Sequence, residues 1–278
     1  MARVAVVTDS STCLPPELAD KLGVISVPVT VHLPGSSGVD GSGELSRRIS
    51  QAVQQDQYVR STQPYITDYV AAIEEAACEE VVIVTPAMEF AAMFRNASLA
   101  ADLTSRKAAV VDSRTAAAGE ALVVLAGAEA AQSGASLEEV VSVLENAISR
   151  VELVATLTSL EPIRRSRRVP APVLAKAPPG GSRSLFRMRY GTVESLGEVE
   201  GEEAAFAAIA EAYKEGGGVG SASSTVFHAD HEEAAQRLCE LLGGVDFVSG
   251  FSAAMQLHTG PGVVGAAWIP APESEKGR

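Results

Sequence analysis

Val4-Ala5-Val6-Val7-Thr8-Asp9-Ser10-Ser11-Thr12-Cys13-Leu14-Pro15-Pro16-Glu17-Leu18-Ala19-Asp20-Lys21-Leu22-Gly23 decides the architecture of this chain. The apolar run Val4–Thr8 is too short for a signal peptide and reads as a buried first strand. Proline near the start and glycine just after the end bracket a helix over Pro15–Leu22. Val24–Leu33 then reads as the next strand, which makes the opening a strand–helix–strand unit. The alternation continues outward. Ile66–Glu79, Phe90–Leu103 and Ala116–Gln132 carry helical patterns, with strands at Val81–Thr85 and Ala108–Asp112 between them. Ser136-Leu137-Glu138-Glu139 is a capping box opening a helix to Ser149. Pro34 to Gly43 is a Gly/Ser-rich loop without a packing signal.

After Arg150 the texture changes. Val151–Thr158 reads as a strand, followed by an Arg/Pro/Gly-rich region to Gly191. Glu202–Lys214 and Asp230–Leu242 are helices, and Val219–Phe227, Val245–Val248 and Val263–Ile269 are strands. The expected fold is therefore α/β with two domains. Residues 1–150 form a mostly parallel sheet with helices on both faces, and 151–278 a smaller α/β domain. Ligands are expected at the carboxyl ends of the strands.

The chain has 278 residues, 46% of them hydrophobic, enough for a sizeable core. No window is apolar enough for a membrane span. Its net charge of −13 argues against nucleic acid and anionic membranes as partners. Cys13, Cys78 and Cys239 are odd in number and widely spaced, which predicts reduced thiols and a cytoplasmic location. One segment breaks the acidic trend. Between Pro162 and Val193 lie seven arginines (Arg164, Arg165, Arg167, Arg168, Arg183, Arg187, Arg189), Lys176 and no acidic residue. It reads equally as a solvated basic loop or as a docking patch for an acidic or phosphate-bearing partner.

Few motifs carry chemistry. Gly216-Gly217-Gly218-Val219-Gly220 follows a helix, lacks the spacing of a phosphate loop, and reads as a helix stop. His228-Ala229-Asp230-His231 offers metal-ligand types, yet Asp230 and Glu233 have the spacing of a helix cap, and the reading calls for no metal and no cofactor. Thr8-Asp9-Ser10-Ser11-Thr12, Ser61-Thr62-Gln63-Pro64 and Asp112-Ser113 are hydroxyl-rich turns placed where such sheets bind ligands. His258-Thr259-Gly260-Pro261-Gly262 reads as a tight turn before a buried strand. It also has the imidazole, hydroxyl and backbone N–H groups to hold an anionic oxygen.

In their order and spacing these motifs resemble the DegV family, bacterial two-domain proteins that bind fatty acids. The resemblance rests on Thr8-Asp9-Ser10, Leu14-Pro15-Pro16-Glu17-Leu18 and Val27-Pro28-Val29. It continues through Ser61-Thr62-Gln63-Pro64 (Thr-Ser-Gln-Pro in the family), Val110-Val111-Asp112-Ser113, the Ser159–Val169 stretch and His258–Gly262. It implies a carrier rather than a catalyst, holding a long-chain fatty acid in a ligand cleft between the two domains for presentation to a separate fatty acid kinase. Thr62 and His258 would hold the carboxylate, with Ser61, Thr259, Gly260, Ser10 and Thr85 around it. Arg168 would match the family's Gly-Gly-Arg arginine, and the Arg164–Arg189 region would meet the kinase.

Three departures surround this expected site. The family's Ser-Gly-Thr loop is replaced by Ala91-Ala92-Met93, Ser166-Arg167 stands for Gly-Gly before Arg168, and the segment after Val169 is short. Two rival readings remain. One is an enzyme using His258 as general acid–base on an acyl or phosphorylated substrate, with Ser10, Ser61 and Thr62 positioning it. The other is an interaction protein with a vestigial pocket.

Overall fold

The computed structural model describes residues 2–41, 43–166 and 181–272. β1 (Val4–Asp9) runs through a single 3-10 turn, Ser10–Thr12, into α1 (Pro16–Leu22) and returns as β2 (Ile25–Val27), parallel to β1. The Asp9 carboxylate holds that turn by accepting from Ser11 N at 2.9 Å. Val24–Leu33, expected as one strand, is broken at Pro28, which has no N–H for a ladder. Beyond it the chain leaves the parallel sheet. β3 (Thr30–Leu33) joins β4 (Ser36–Val39) and β5 (Arg60–Thr62) in a separate antiparallel sheet, order β4-β3-β5. The stretch expected to be an unpacked loop thus contains a strand, followed by α2 (Gly43–Gln54).

α3 (Ile66–Glu75), β6 (Glu80–Thr85), α4 (Met93–Leu103) and β7 (Lys107–Asp112) complete the parallel sheet, order β2-β1-β6-β7. Alternation along its strands sends residues to opposite faces. Ala5, Val7 and Ile83 pack on Tyr69 and Ile73 of α3 and Ala97 of α4. Val4, Val6, Val82 and Val84 pack on α5 (Ala118–Gln132) and α6 (Leu137–Arg150). Helices therefore cover both faces. Ser136 and Glu139 form the expected capping box at α6.

The later half builds a six-stranded sheet. Its elements are β8 (Glu152–Leu157), α7 (Glu161–Ser166), β9 (Ser182–Arg189), β10 (Thr192–Glu200), α8 (Gly201–Glu215), β11 (Ser223–His228), α9 (Glu232–Leu242), β12 (Phe247–Gly250), α10 (Ala253–Thr259) and β13 (Val264–Ile269). The order is β10-β9-β8-β13-β11-β12, and only β11 and β12 pair in parallel. Its outer face, with Val154, Val226, Ala266 and Trp268, packs on Phe206 and Ile209 of α8 and Leu238 of α9. Its inner face, with Leu153, Ala155, Leu157, Phe186 and Phe227, shares a continuous core with α5 and the parallel sheet. Among the described residues no helix is long and apolar enough to cross a membrane.

Candidate functional site

A tunnel opens between that inner face, α10 and the loops at the carboxyl ends of the parallel strands. The space between these elements, open solvent at the mouth included, amounts to about 1190 Å³. Leu153, Ala155, Phe186, Phe227, Phe251 and Met255 give it an apolar wall. Its polar lining residues include Ser11, Ser61, Gln63, His258 and Thr259.

Two of the expected residues meet there. Ser61 Oγ lies 3.2 Å from His258 Nε2, joining β5 to α10 across the chain. Strand periodicity explains which hydroxyl arrives. Ser61 sits opposite the fully buried Val31, on the face of the small sheet that packs against Ala253 and Ala254 of α10. Its neighbour Thr62 takes the other face, where its hydroxyl is 2.8 Å from His32 Nε2. Thr62, expected at the head group, is not among the residues lining the tunnel.

The other expected residues also have structural work. Ser10 Oγ donates to Asp40 Oδ2 at 2.8 Å and accepts from Val29 N at 3.0 Å. Thr85 is wholly buried at the end of β6, apart from the tunnel lining. Thr259 does line the tunnel, but its hydroxyl donates to Met255 O at 3.0 Å. Gly260 N donates to Gln256 O at 2.8 Å, so that amide is committed to ending α10. Gly260 has φ +76°, and a Cβ there would fall 2.7 Å from Pro162 Cγ. Its role is to let α7 pack against the loop, rather than to bring backbone to a ligand. Arg168 lies outside the described residues.

Asp40 is the residue that sequence reasoning missed. Its Oδ1 accepts from Ala254 N at 3.3 Å at the start of α10, while Oδ2 takes Ser10. Burial holds its carboxyl above the usual carboxylate range, against the pull of its hydrogen bonds. It thereby fixes the helix that carries His258. The signal was absent from the sequence because its partners lie far along the chain.

The replaced loop forms an apolar wall, with Phe90, Ala91 and Met93 facing the tunnel. Glu89 turns away and pairs with Arg114 at 3.2 Å. Several of the arginines expected in a docking patch are engaged by this chain's own carboxylates. Arg165 meets Asp56 and Glu161, Arg183 meets Glu202, and Arg187 and Arg189 meet Glu152. The expected cap at α9 is also rearranged: Asp230 accepts from Ser50 Oγ at 3.1 Å, and His231 N donates to His228 Nδ1 at 3.2 Å.

This geometry has close counterparts. The DegV family model, described as "Uncharacterised protein, DegV family", matches residues 3–271. A DegV domain-containing protein of Deinococcus radiodurans is 30% identical over 281 residues, covering 96% of this chain and 98% of its own. A solved structure on fatty acid binding of a DegV family protein from Thermus thermophilus superposes with a TM-score of 0.88 at 25% identity. It covers 97% of this chain and 100% of that one. The structure of DegV, a fatty acid binding protein from Bacillus subtilis, shares the fold with a TM-score of 0.86 at 20% identity, over 98% of this chain and 100% of that one. Matched by the family model over residues 3–271 and by a relative 30% identical along almost its whole length, this chain belongs to the DegV family.

Proposed function

We propose that this protein binds a long-chain fatty acid without chemically altering it. The acid lies between two lobes, residues 1–150 and 151–278, with its carboxylate at the Ser61–His258 pair. The observation that carries the reading is an apolar tunnel with that hydroxyl–imidazole pair on its wall. A buried carboxylate is tolerable only where donors satisfy it. Each methylene buried along the wall contributes about 0.8 kcal/mol, so the tail dominates affinity and the pair fixes orientation. The fatty acid binding described for the Thermus relative supports the same assignment.

Native mass spectrometry of the purified protein should show a bound acyl chain. Protein that stays ligand-free and has no affinity for acids of fourteen to twenty carbons overturns the reading. Ser61→Ala and His258→Ala should each weaken binding by about 1–3 kcal/mol. Thr62→Ala, whose hydroxyl serves His32, should change it by less than about 0.5 kcal/mol. Isothermal titration on the three variants decides the assignment, and an equal loss at Thr62 would move the head group there. A serine hydrogen-bonded to a histidine is also the geometry of an activated nucleophile. Turnover of an acyl phosphate by the protein alone, abolished in His258→Ala, would replace the carrier with an enzyme.

A further inference from the structure

The tunnel wall carries a size pattern along the strands that the head-group pair does not explain. Three cross-strand rows of the six-stranded sheet face inward. The first, Leu157 and Val263, adjoins the His258–Gly262 loop, where Thr158 Oγ1 donates to Pro261 O at 3.2 Å. The second runs Phe227–Gly265–Ala155–Phe186. The third includes Leu153 and Met188, with Val193 opposite Met188. From Leu157 to Leu153 the wall extends about 13 Å at strand rise.

The middle row is a trough. The Phe227 ring reaches across Gly265, where a Cβ would fall 2.4 Å from Phe227 Cζ. The ring is thereby kept low and stacks on Phe251, with centroids 5.3 Å apart and planes 5° from parallel. Phe186 stands on the other side, and Ala155 is the floor between them. Beyond the trough the wall is built by the loop before α5 and the β9–β10 turn. Ala116 and Ala117 face it, Thr115 Oγ1 donates to Met188 Sδ at 3.7 Å, and Gly191 N donates to Arg114 O at 2.5 Å. The Arg114 guanidinium lies 4.9 Å from the centre of the Tyr190 ring, clasping that loop to the β9–β10 turn.

Resting on the binding reading above, we propose that Ala155 and Leu153 measure the acyl chain. A single unbranched tail runs over Ala155, between Phe186 and the Phe227–Phe251 pair, and ends against Leu153 and Met188. Phenylalanines flank the Ala155 floor on both sides. Side-chain size at these two positions then sets the longest acid that fits, because packed interiors register single methylenes.

The test offers delipidated full-length protein an equimolar ladder of straight-chain saturated acids from twelve to twenty carbons, read by native mass spectrometry. Ala155→Leu should shift the preferred length down by about two to three carbons, matching the three carbon atoms added to the floor. Leu153→Ala should shift it up by a similar amount. His258→Ala should lower every rung without moving the maximum. Folded variants at Ala155 and Leu153 that keep the wild-type profile overturn the ruler and leave fatty-acid binding standing. If Ala155→Leu fails to give a native circular dichroism spectrum, Leu153→Ala decides alone. Wild-type protein that takes up no rung overturns the binding reading, and the ruler with it.

Discussion

Trp268→Ala should cost about 3–5 kcal/mol of stability, in the range of large aromatic deletions from packed cores. Trp268 is fully buried in β13, on the face of the six-stranded sheet opposite the tunnel. Its indole Nε1 donates to Gly216 O at 2.8 Å, and Tyr213 meets it edge-on with ring centroids 5.1 Å apart. The ring is also packed tightly on Gly216, where a Cβ would fall 2.7 Å from Trp268 Cζ2. Deleting it leaves a cavity and an orphaned carbonyl at the end of α8 together. Each kcal/mol lost lowers the melting temperature of a chain this size by about 2–4 °C. Circular dichroism is the measurement, because the variant removes the chain's one tryptophan. Trp268→Phe should lose less, since it keeps most of the ring. Near-equal melting of wild type and Trp268→Ala would refute this account of the outer core.

Glu120→Gln should stabilise the protein at neutral and alkaline pH, with the gain fading on acidification. Glu120 is wholly buried in α5, with the Thr8 hydroxyl alone offsetting the cost of its charge. Burial, reinforced by the nearby Asp9 and Asp112, raises its pKa well above the ordinary value of 4.5. Between the unfolded and folded pKa values the native state holds the extra proton, so stability falls as pH rises through that window. Below about pH 4.5 the side chain is protonated in both states and its penalty vanishes. The amide of the variant cannot ionise, so wild type and Glu120→Gln should converge at acid pH and diverge by several degrees of melting temperature at about pH 8. A difference independent of pH would show that ionisation at this position is not what costs stability.

The parallel sheet was legible because its strands are buried on both faces and read as short apolar runs between punctuated helices. The errors have specific physical origins. Val24–Leu33 is continuous in β-forming residues, so the break at Pro28 and the change of sheet left no trace in its hydropathy. β10 is largely exposed, so no apolar run marked a strand between Gly191 and the helix at Glu202. α10 spans only seven residues before Gly-Pro-Gly, too few for a helical period to stand out. Ser61-Thr62-Gln63-Pro64 stood out as a hydroxyl-rich turn, but which of Ser61 and Thr62 lines the tunnel depends on which face of β5 points inward. A single step along a strand reverses that face, and only pairing with β3 fixes it.

α5 limits how a ligand can enter. Eleven of its fifteen residues are buried, without a polar face to turn toward water. It packs on β1 of the parallel sheet and on β11 and β13 of the six-stranded sheet, within one continuous core. Swinging the two sheets apart would strip Leu122, Val123 and Val124 of their surroundings, at about 1.5–3 kcal/mol for each side chain. The helix works as a rivet rather than a hinge pin. On the proposed binding reading, a hydrophobic guest would therefore thread in lengthwise from the mouth, and its exchange would be governed by that opening instead of by jaws that open and close.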